Sequence, residues 1–177
     1  MKLVIGGLAG TGKSSLGRAL AEHFGAPFYS GGSFFRALAR ERGIEPAELE
    51  REAERDPGID EETLRRIGEF GRSTPDFVVE GHLVWYPLRA VSGVVRIKLL
   101  CADAVRFARV ASRENLSLEE AARQTKEREA TLVERFAVRM AIPEWDDNRH
   151  YCYVIDTSEA SLESVVALAL ALLHVHC

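Results

Sequence analysis

The sequence predicts an α/β fold, a central parallel β-sheet between layers of helices in a three-layer sandwich. Three observations carry this. Short, continuous apolar runs recur along the 177 residues, as "KLVIG", "DFVVEG", "VVRIKLL" and "CYVIDTS". Strands buried on both faces read this way, whereas strands of a half-exposed sheet alternate. Between the runs lie segments of helical period, which implies right-handed crossovers joining parallel strands. The first run also opens directly into a glycine-rich turn, the usual exit from a buried strand into a helix.

In chain order, "KLVIG" is the first strand. "KSSLGRALAEHFG" follows as a helix, with Leu16, Leu20 and Phe24 at helical spacing and Gly25 as the terminating residue. "APFYS" is a short second strand. From Arg40 to Arg66 more than half of the residues are charged, with no strand pattern. The stretch from Arg113 to Arg139 is also rich in charge, with Leu118, Ala122, Thr125, Leu132, Phe136 and Met140 along one side. Each reads either as solvated helices laced by ion pairs or as a helical insert beside a cleft. A C-terminal helix begins near Ser161. Its "VVALALALL" is far short of the roughly 20 residues that span a bilayer.

Composition narrows the classes. Apolar residues make up 46% and charged residues 28%, with a net charge of −4, so a nucleic acid polymer is not an expected partner, nor is a membrane. Three cysteines at no metal-ligand spacing suit a reducing, cytoplasmic setting. The expectation is a single domain over residues 1–177, a monomer or weak homodimer.

"GLAGTGKSS" is the chemically informative stretch. Gly7, Gly12, Lys13 and Ser14 satisfy G-x-x-x-x-G-K-[ST] between a predicted strand and a predicted helix. Its glycines let backbone N–H groups turn inward around an anion, and the helix start adds partial positive charge. The loop residues Gly7, Leu8, Ala9, Gly10, Thr11, Gly12, Lys13, Ser14 and Ser15 are therefore expected to hold ATP. Lys13 should reach the β- and γ-phosphates and Ser14 should offer its hydroxyl to Mg²⁺. Neither a guanine-reading Asn-Lys-x-Asp nor a transporter-type signature occurs, which leaves a small-molecule kinase or a nucleotide-binding regulator.

A second anion site is suggested by "YSGGSFFRALARERG", where a serine-glycine turn opens a helix with Arg36 one turn in. Arg36 is either a bidentate clamp or a surface arginine on a capped helix. Arg128 and Arg135, seven apart, would share one helical face, either to grip a phosphoryl group or to pair with Glu127, Glu129 and Glu134. Glu80, ending "DFVVEG", is a candidate to orient a Mg²⁺-bound water. Arg113 is a candidate to stack on adenine, and Asp103 reads as a helix cap. Trp85 and Tyr86 line a base pocket or pack the core. "EWDDNRH" (144–150) reads as a loop whose carboxylates could meet a base amine or a lid arginine. "HVHC" at the end carries no metal-site spacing.

The chain resembles the cytidylate kinases among the nucleoside monophosphate kinases, most of all their compact archaeal type. The likeness rests on the loop from Gly7 to Ser14, "SGGSFFRALARERG", "DPGID", "VVEGH", "CADAVRFARVASREN", "KEREATLVERF" and "VIDTS". It implies a P-loop fold with a monophosphate-binding helical insert at about 31–72 and a lid at about 113–140. It further implies Mg²⁺·ATP as phosphoryl donor and CMP or dCMP as acceptor. Lys13, Arg128 and Arg135 would be catalytic, and Ser14 and Glu80 would serve the metal. Ser30, Gly31, Arg36, Asp56, Asp60, Gly81 and His82 would lie on the acceptor side. The family usually has arginine where His82 stands, so AMP, UMP or a small metabolite remain alternative acceptors. A catalytically silent nucleotide-binding regulator is the alternative outside the kinases.

Overall fold

The structure is a computed structural model that describes residues 1–176, the side chain of His176 excepted. The elements run β1 (Lys2–Gly7), α1 (Lys13–Phe24), β2 (Phe28–Ser30), α2 (Gly31–Arg42), α3 (Pro46–Ala53), α4 (Gly58–Ser73) and β3 (Phe77–Glu80). They continue with α5 (Trp85–Leu88), β4 (Val94–Leu100), α6 (Asp103–Glu114), α7 (Leu118–Leu132), a π-helix (Val133–Arg139), a 3₁₀ turn (Asn148–His150), β5 (Tyr153–Asp156) and α8 (Leu162–His176).

The five strands form one parallel sheet in the order β2-β3-β1-β4-β5. The order reverses about β1, and the phosphate loop leaves its carboxyl end at the crevice where α/β sheets bind ligands. Apolar residues on one face, among them Leu3, Ile5, Val78 and Ile97, are buried with Leu16 and Leu20 of α1 and Val165, Ala169 and Leu173 of α8. On the other face Val4, Phe77, Val79 and Val94 pack with Ile67 of α4, Trp85 and Leu88 of α5, and Trp145.

The first charged stretch has a core of its own. Leu38 and Ala39 of α2, Leu49 and Ala53 of α3 and Ile59 of α4 are buried together. Their charged neighbours face outward as ion pairs, including Arg66 with Glu41 and Glu62. Aromatic contacts from Tyr29 through Phe34 and Phe70 to Phe77 tie these helices to the sheet.

The second charged stretch departs from the expected long α-helix. Its final turns, 133–139, wind as a π-helix with no buried residue, and the chain leaves through Ala141 at φ 53°. Arg128 lies in the α-helical part and Arg135 in the π-helical part, so the two do not stand on one regular helix. Asp103 is also not a cap. Ala102 holds the N-cap position, and the Asp103 carboxylate instead accepts from Arg106 at 2.9 and 2.7 Å. Cys177 and the His176 side chain of "HVHC" lie outside the described residues.

Candidate functional site

The phosphate loop is shaped by what surrounds it. A Cβ on Gly7 would lie 2.5 Å from the Leu99 carbonyl oxygen and 2.9 Å from Thr11 Oγ1, and one on Gly10 would run into the Arg106 backbone. Both glycines hold positive φ, 138° and 80°. Four carbonyls of the loop already have hydrogen-bond partners. Leu8 accepts from Thr11 Oγ1 at 2.8 Å, and Ala9 accepts from Arg106 at 3.4 Å. Gly10 accepts from Arg109 at 3.4 Å, and Thr11 accepts from the Thr157 hydroxyl at 3.0 Å. With these carbonyls engaged, N–H groups of the loop are left to meet an anion.

Arg106 and Arg109, which the sequence does not single out, brace the loop. In the structure Arg106 is 3% exposed and joins the loop to Glu129 of α7. Arg109 donates to both oxygens of Thr157, at 3.1 and 2.7 Å. The available signal was an arginine pair at i, i+3 on the helix after a central strand. Arg113 itself is exposed and pairs with Glu114 at 2.7 Å.

Lys13 folds back to donate to the Leu8 carbonyl at 2.8 Å. Burial pushes its pKa down to about 8, while the charge of Glu80, and more weakly that of Asp146, favours the ammonium. Glu80 ends β3 nearly buried. Burial raises its pKa, opposed by the charge of Lys13 and a hydrogen bond with the Ser14 hydroxyl. A hydroxyl and a carboxylate side by side are hard oxygen donors, the chemistry Mg²⁺ takes alongside phosphate oxygens and waters. Ser14 and Glu80 therefore suit Mg²⁺, and no cluster of three or more His, Cys, Asp or Glu that could hold a metal occurs among the described residues.

The proposed acceptor turn abuts this site. Ser30 caps α2, its hydroxyl accepting from the Ser33 N–H at 3.1 Å and from Arg36 at 3.3 Å. Gly31 sits against the end of β3: a Cβ on Gly81 would come within 2.7 Å of Val84 and 3.5 Å of the Gly31 Cα. The Arg36 guanidinium lies over Gly32, where a Cβ would stand 2.9 Å from Nη1. His82 is half-buried overall, and its Nδ1 is buried without a hydrogen-bond partner. Burial first, then the Lys13 charge, lowers its pKa to about 3, so it is neutral.

Other expected site residues are held apart. Asp56 is exposed and accepts from the Gly58 N–H at 2.9 Å, closing a turn. Asp60 is buried and engages Arg135 of the π-helix. Arg128 is half-exposed and pairs with Glu114 at 3.1 Å. The two lid arginines thus point to different partners in this structure. Trp85 is packed in the core and donates from Nε1 to the Trp145 carbonyl at 2.9 Å. In the 144–150 loop, Asp146 pairs with Lys98 and Asp147 with Arg149; neither meets a lid arginine.

Comparison with known proteins places this geometry. Solved structures of similar fold include a shikimate kinase from Acinetobacter baumannii in complex with shikimate, with a TM-score of 0.66 at 18% identity over 99% of this chain and 93% of that one. A gluconokinase from Sinorhizobium meliloti superposes with a TM-score of 0.63 at 21% identity, covering 98% and 91% of the two chains. At these identities the likeness establishes the fold. Sequence relatives are nearer. A cytidylate kinase of Methanobrevibacter smithii is 33% identical over 175 residues, 99% of each chain. Another, of Pyrococcus abyssi, is 36% identical over 169 residues, covering 96% of this chain and 91% of the relative. The model of the cytidylate kinase-like family matches residues 3–159. With loop, strand ends and inserts in that order and a match through nearly the whole chain, the protein belongs to the cytidylate kinase-like family.

Proposed function

We propose that this protein is a nucleoside monophosphate kinase that transfers the γ-phosphoryl group of Mg²⁺·ATP to CMP or dCMP. The observation that supports it most is the meeting of two anion sites at the end of β3. The Lys13–Glu80–Ser14 group lies on one side and the Ser30–Gly31–Arg36 turn on the other, with Gly31 packed on Gly81.

In this reading the loop from Gly7 to Ser15 cradles the donor phosphates, and Lys13 leaves the Leu8 carbonyl to neutralise the β- and γ-oxygens. Ser14 and Glu80 would hold the metal, which when bound would supply positive charge against the charge that develops on the phosphoryl group. Arg36 clamps the acceptor phosphate from the mouth of α2. Arg128 and Arg135 exchange Glu114 and Asp60 for the equatorial oxygens as the lid closes, bringing positive charge where the transition state needs it. Arg113, at the entrance to the lid, exchanges Glu114 for the adenine ring. Asp56 acts at one remove, through the turn that starts α4.

His82 supports a second reading of the acceptor. A neutral imidazole replaces the fixed cation usual in the family, so the pocket beside it suits an acceptor held mainly by Arg36. In both readings the enzyme works in the cytoplasm as a monomer or weak homodimer, for which the exposed Leu168 and Val175 of α8 offer the surface.

A coupled ADP-release assay with Mg²⁺·ATP and CMP, dCMP, UMP, AMP, GMP or buffer tests this, with Lys13→Ala and Arg36→Ala as controls. Turnover stimulated by CMP or dCMP and lost in both variants is the expected result. Preference for another monophosphate would keep the kinase and reassign the pocket near His82. ATP binding without acceptor-stimulated turnover would overturn the proposal and leave another acceptor class or a silent binder.

A further inference from the structure

One side chain joins the phosphate loop to α7. Arg106 of α6 is buried, and its guanidinium has three partners. Nη1 donates to the Ala9 carbonyl at 3.4 Å and also to Glu129 Oε1. Nη2 donates to Glu129 Oε2 at 3.1 Å, and Nε and Nη2 share Asp103 Oδ1 at 2.9 and 2.7 Å. The loop also rests against this residue directly, since a Cβ on Gly10 would stand 2.7 Å from the Arg106 Cβ. Arg109 braces the loop as well, but its remaining hydrogen bonds go to Cys101 and Thr157. Of the two braces, Arg106 is the one that reaches α7 among the described residues.

Glu129 holds a particular place on that helix. Ala121, Thr125 and Glu129 follow at four-residue intervals and so share one face. The first two are fully buried small side chains, which lets α7 lie close on α6, where Phe107 and Val110 are buried. Glu129 continues this face by one turn and closes it with an ion pair in which 4% of the Arg106 side chain and 20% of its own are exposed. Four residues later the π-helix begins, and no residue of it is buried. The pair therefore marks the end of the packed attachment of α7 to α6. Arg128, its immediate neighbour, is half-exposed and meets Glu114 at 3.1 Å.

A bidentate arginine–carboxylate pair fixes orientation as well as distance. A planar fork that holds a loop carbonyl and a helix carboxylate together sets the span between them, which a flexible point charge such as lysine does not.

We propose that Arg106 is a positioning residue for phosphoryl transfer: by holding Ala9 and Glu129 with one guanidinium it fixes the span from the donor loop to α7, and so places Arg128 where it can meet the donor phosphates. The proposal rests on the reading of 113–140 as a lid over a nucleoside triphosphate. It does not depend on which acceptor is used.

The test is a set of double-mutant cycles on binding of a Mg²⁺-bound, non-hydrolysable ATP analogue to the full chain. Binding is measured by calorimetry without acceptor, with thermal melting in parallel. Arg128→Ala should weaken binding about tenfold, the scale of one screened charge contact. In a Glu129→Gln or Arg106→Lys background the same substitution should weaken it less than about threefold, because a displaced Arg128 has little left to lose. Asp103→Asn is the control. Asp103 is 64% exposed and belongs to neither the loop nor α7, yet it accepts two hydrogen bonds from the same guanidinium. Alone it should stay within about twofold of the parent, and in its background Arg128→Ala should keep its full effect. Should Glu129→Gln melt far below the parent, Arg106→Lys, which keeps the charge opposite Glu129, carries the comparison.

A full effect of Arg128→Ala in the Glu129→Gln and Arg106→Lys backgrounds would overturn the proposal. So would the loss of that effect in Asp103→Asn, which would mark a general loosening of α6. Arg128→Ala that binds the analogue as tightly as the parent would overturn it together with the reading of Arg128 as a donor contact. If the cycles behave as expected while no acceptor is turned over, the kinase reading fails and the role of Arg106 stands. If the parent protein does not bind the analogue, both fall together.

Discussion

Arg135 of the π-helix and Asp60 of α4 form a two-pronged ion pair between two charged stretches 75 residues apart in the chain. Nε meets Oδ2 at 3.0 Å, Nη2 bonds Oδ1, and Glu50 stands 3.9 Å from Nη1. Both side chains are nearly buried, 11% and 9% exposed. An arginine expected to grip a phosphoryl group is thus held by a carboxylate in the substrate-free protein. Asp60→Asn removes that charge and leaves Arg135 with Glu50 alone. We expect a loss of about 2–3 kcal/mol in urea unfolding, at the lower end for a broken buried pair because Glu50 remains. Proteolysis between 133 and 142 should quicken several-fold. Unchanged stability together with unchanged cleavage would show that the pair does not restrain the lid.

Lys13 should be a residue at which function opposes stability. Its folded pKa, lowered to about 8 by burial, lies below the unfolded value of 10.5. Below pH 8 both states carry the proton, and the folded state bears the whole desolvation penalty. Between pH 8 and 10.5 the unfolded state alone keeps its proton, so stability rises with pH and the penalty fades. Lys13→Met should therefore stabilise the substrate-free protein by about 1–3 kcal/mol at pH 7, with the gain shrinking toward pH 10.5. Acceptor-stimulated turnover should fall at least ~10³-fold, because the cation that meets the donor phosphates is gone. A destabilised Lys13→Met at pH 7 would contradict this account of the buried ammonium.

The longer strands, the phosphate loop and the helical character of both charged stretches were legible in the sequence because each follows from local pattern. Continuous apolar runs marked all the longer strands, and Gly12-Lys13-Ser14 fell between strand and helix as expected. What escaped was set by tertiary contact. Nothing local distinguishes Arg106, which braces the Ala9 carbonyl, from Arg113, which pairs in solvent. A seven-residue spacing suggested that Arg128 and Arg135 share a helical face, but nothing in that spacing reveals that one pairs with Glu114 and the other with Asp60. Lys98 lies within "VVRIKLL", which read as a continuous apolar run, and nothing local announces its partner Asp146, 48 residues away.

The loop glycines separate crowding from conformation. At Gly7 a side chain meets Leu99 and Thr11 and also needs φ 138°. At Gly12 nothing lies within 4 Å, and only φ 95° opposes a side chain. Gly7→Ala should cost about 3 kcal/mol or more, since rigid backbone must shift as well. Gly12→Ala should cost about 1 kcal/mol, the penalty of a left-handed conformation alone. Denaturant unfolding of the two variants gives the comparison, and equal losses would mean that the Leu99 contact is relieved without effect.

His82 should make the protein sensitive to acid in a way the usual arginine would not. Burial and the Lys13 charge hold its pKa near 3, whereas an unfolded histidine protonates near 6.5. As pH falls through that interval the unfolded state takes up a proton that the folded state refuses, and stability is lost. The residue is only half-buried overall, so solvent screening trims the full 1.4 kcal/mol per pH unit, and we expect about 1–2 kcal/mol lost by pH 4. His82→Gln, which cannot titrate, should narrow that loss, seen as unfolding curves that diverge from the parent only below pH 6.5. Curves that run parallel down to pH 4 would mean that His82 takes up its proton in the folded state. The imidazole would then become a cation beside Lys13 as pH falls, and an acceptor pocket built around a neutral His82 would have to be abandoned.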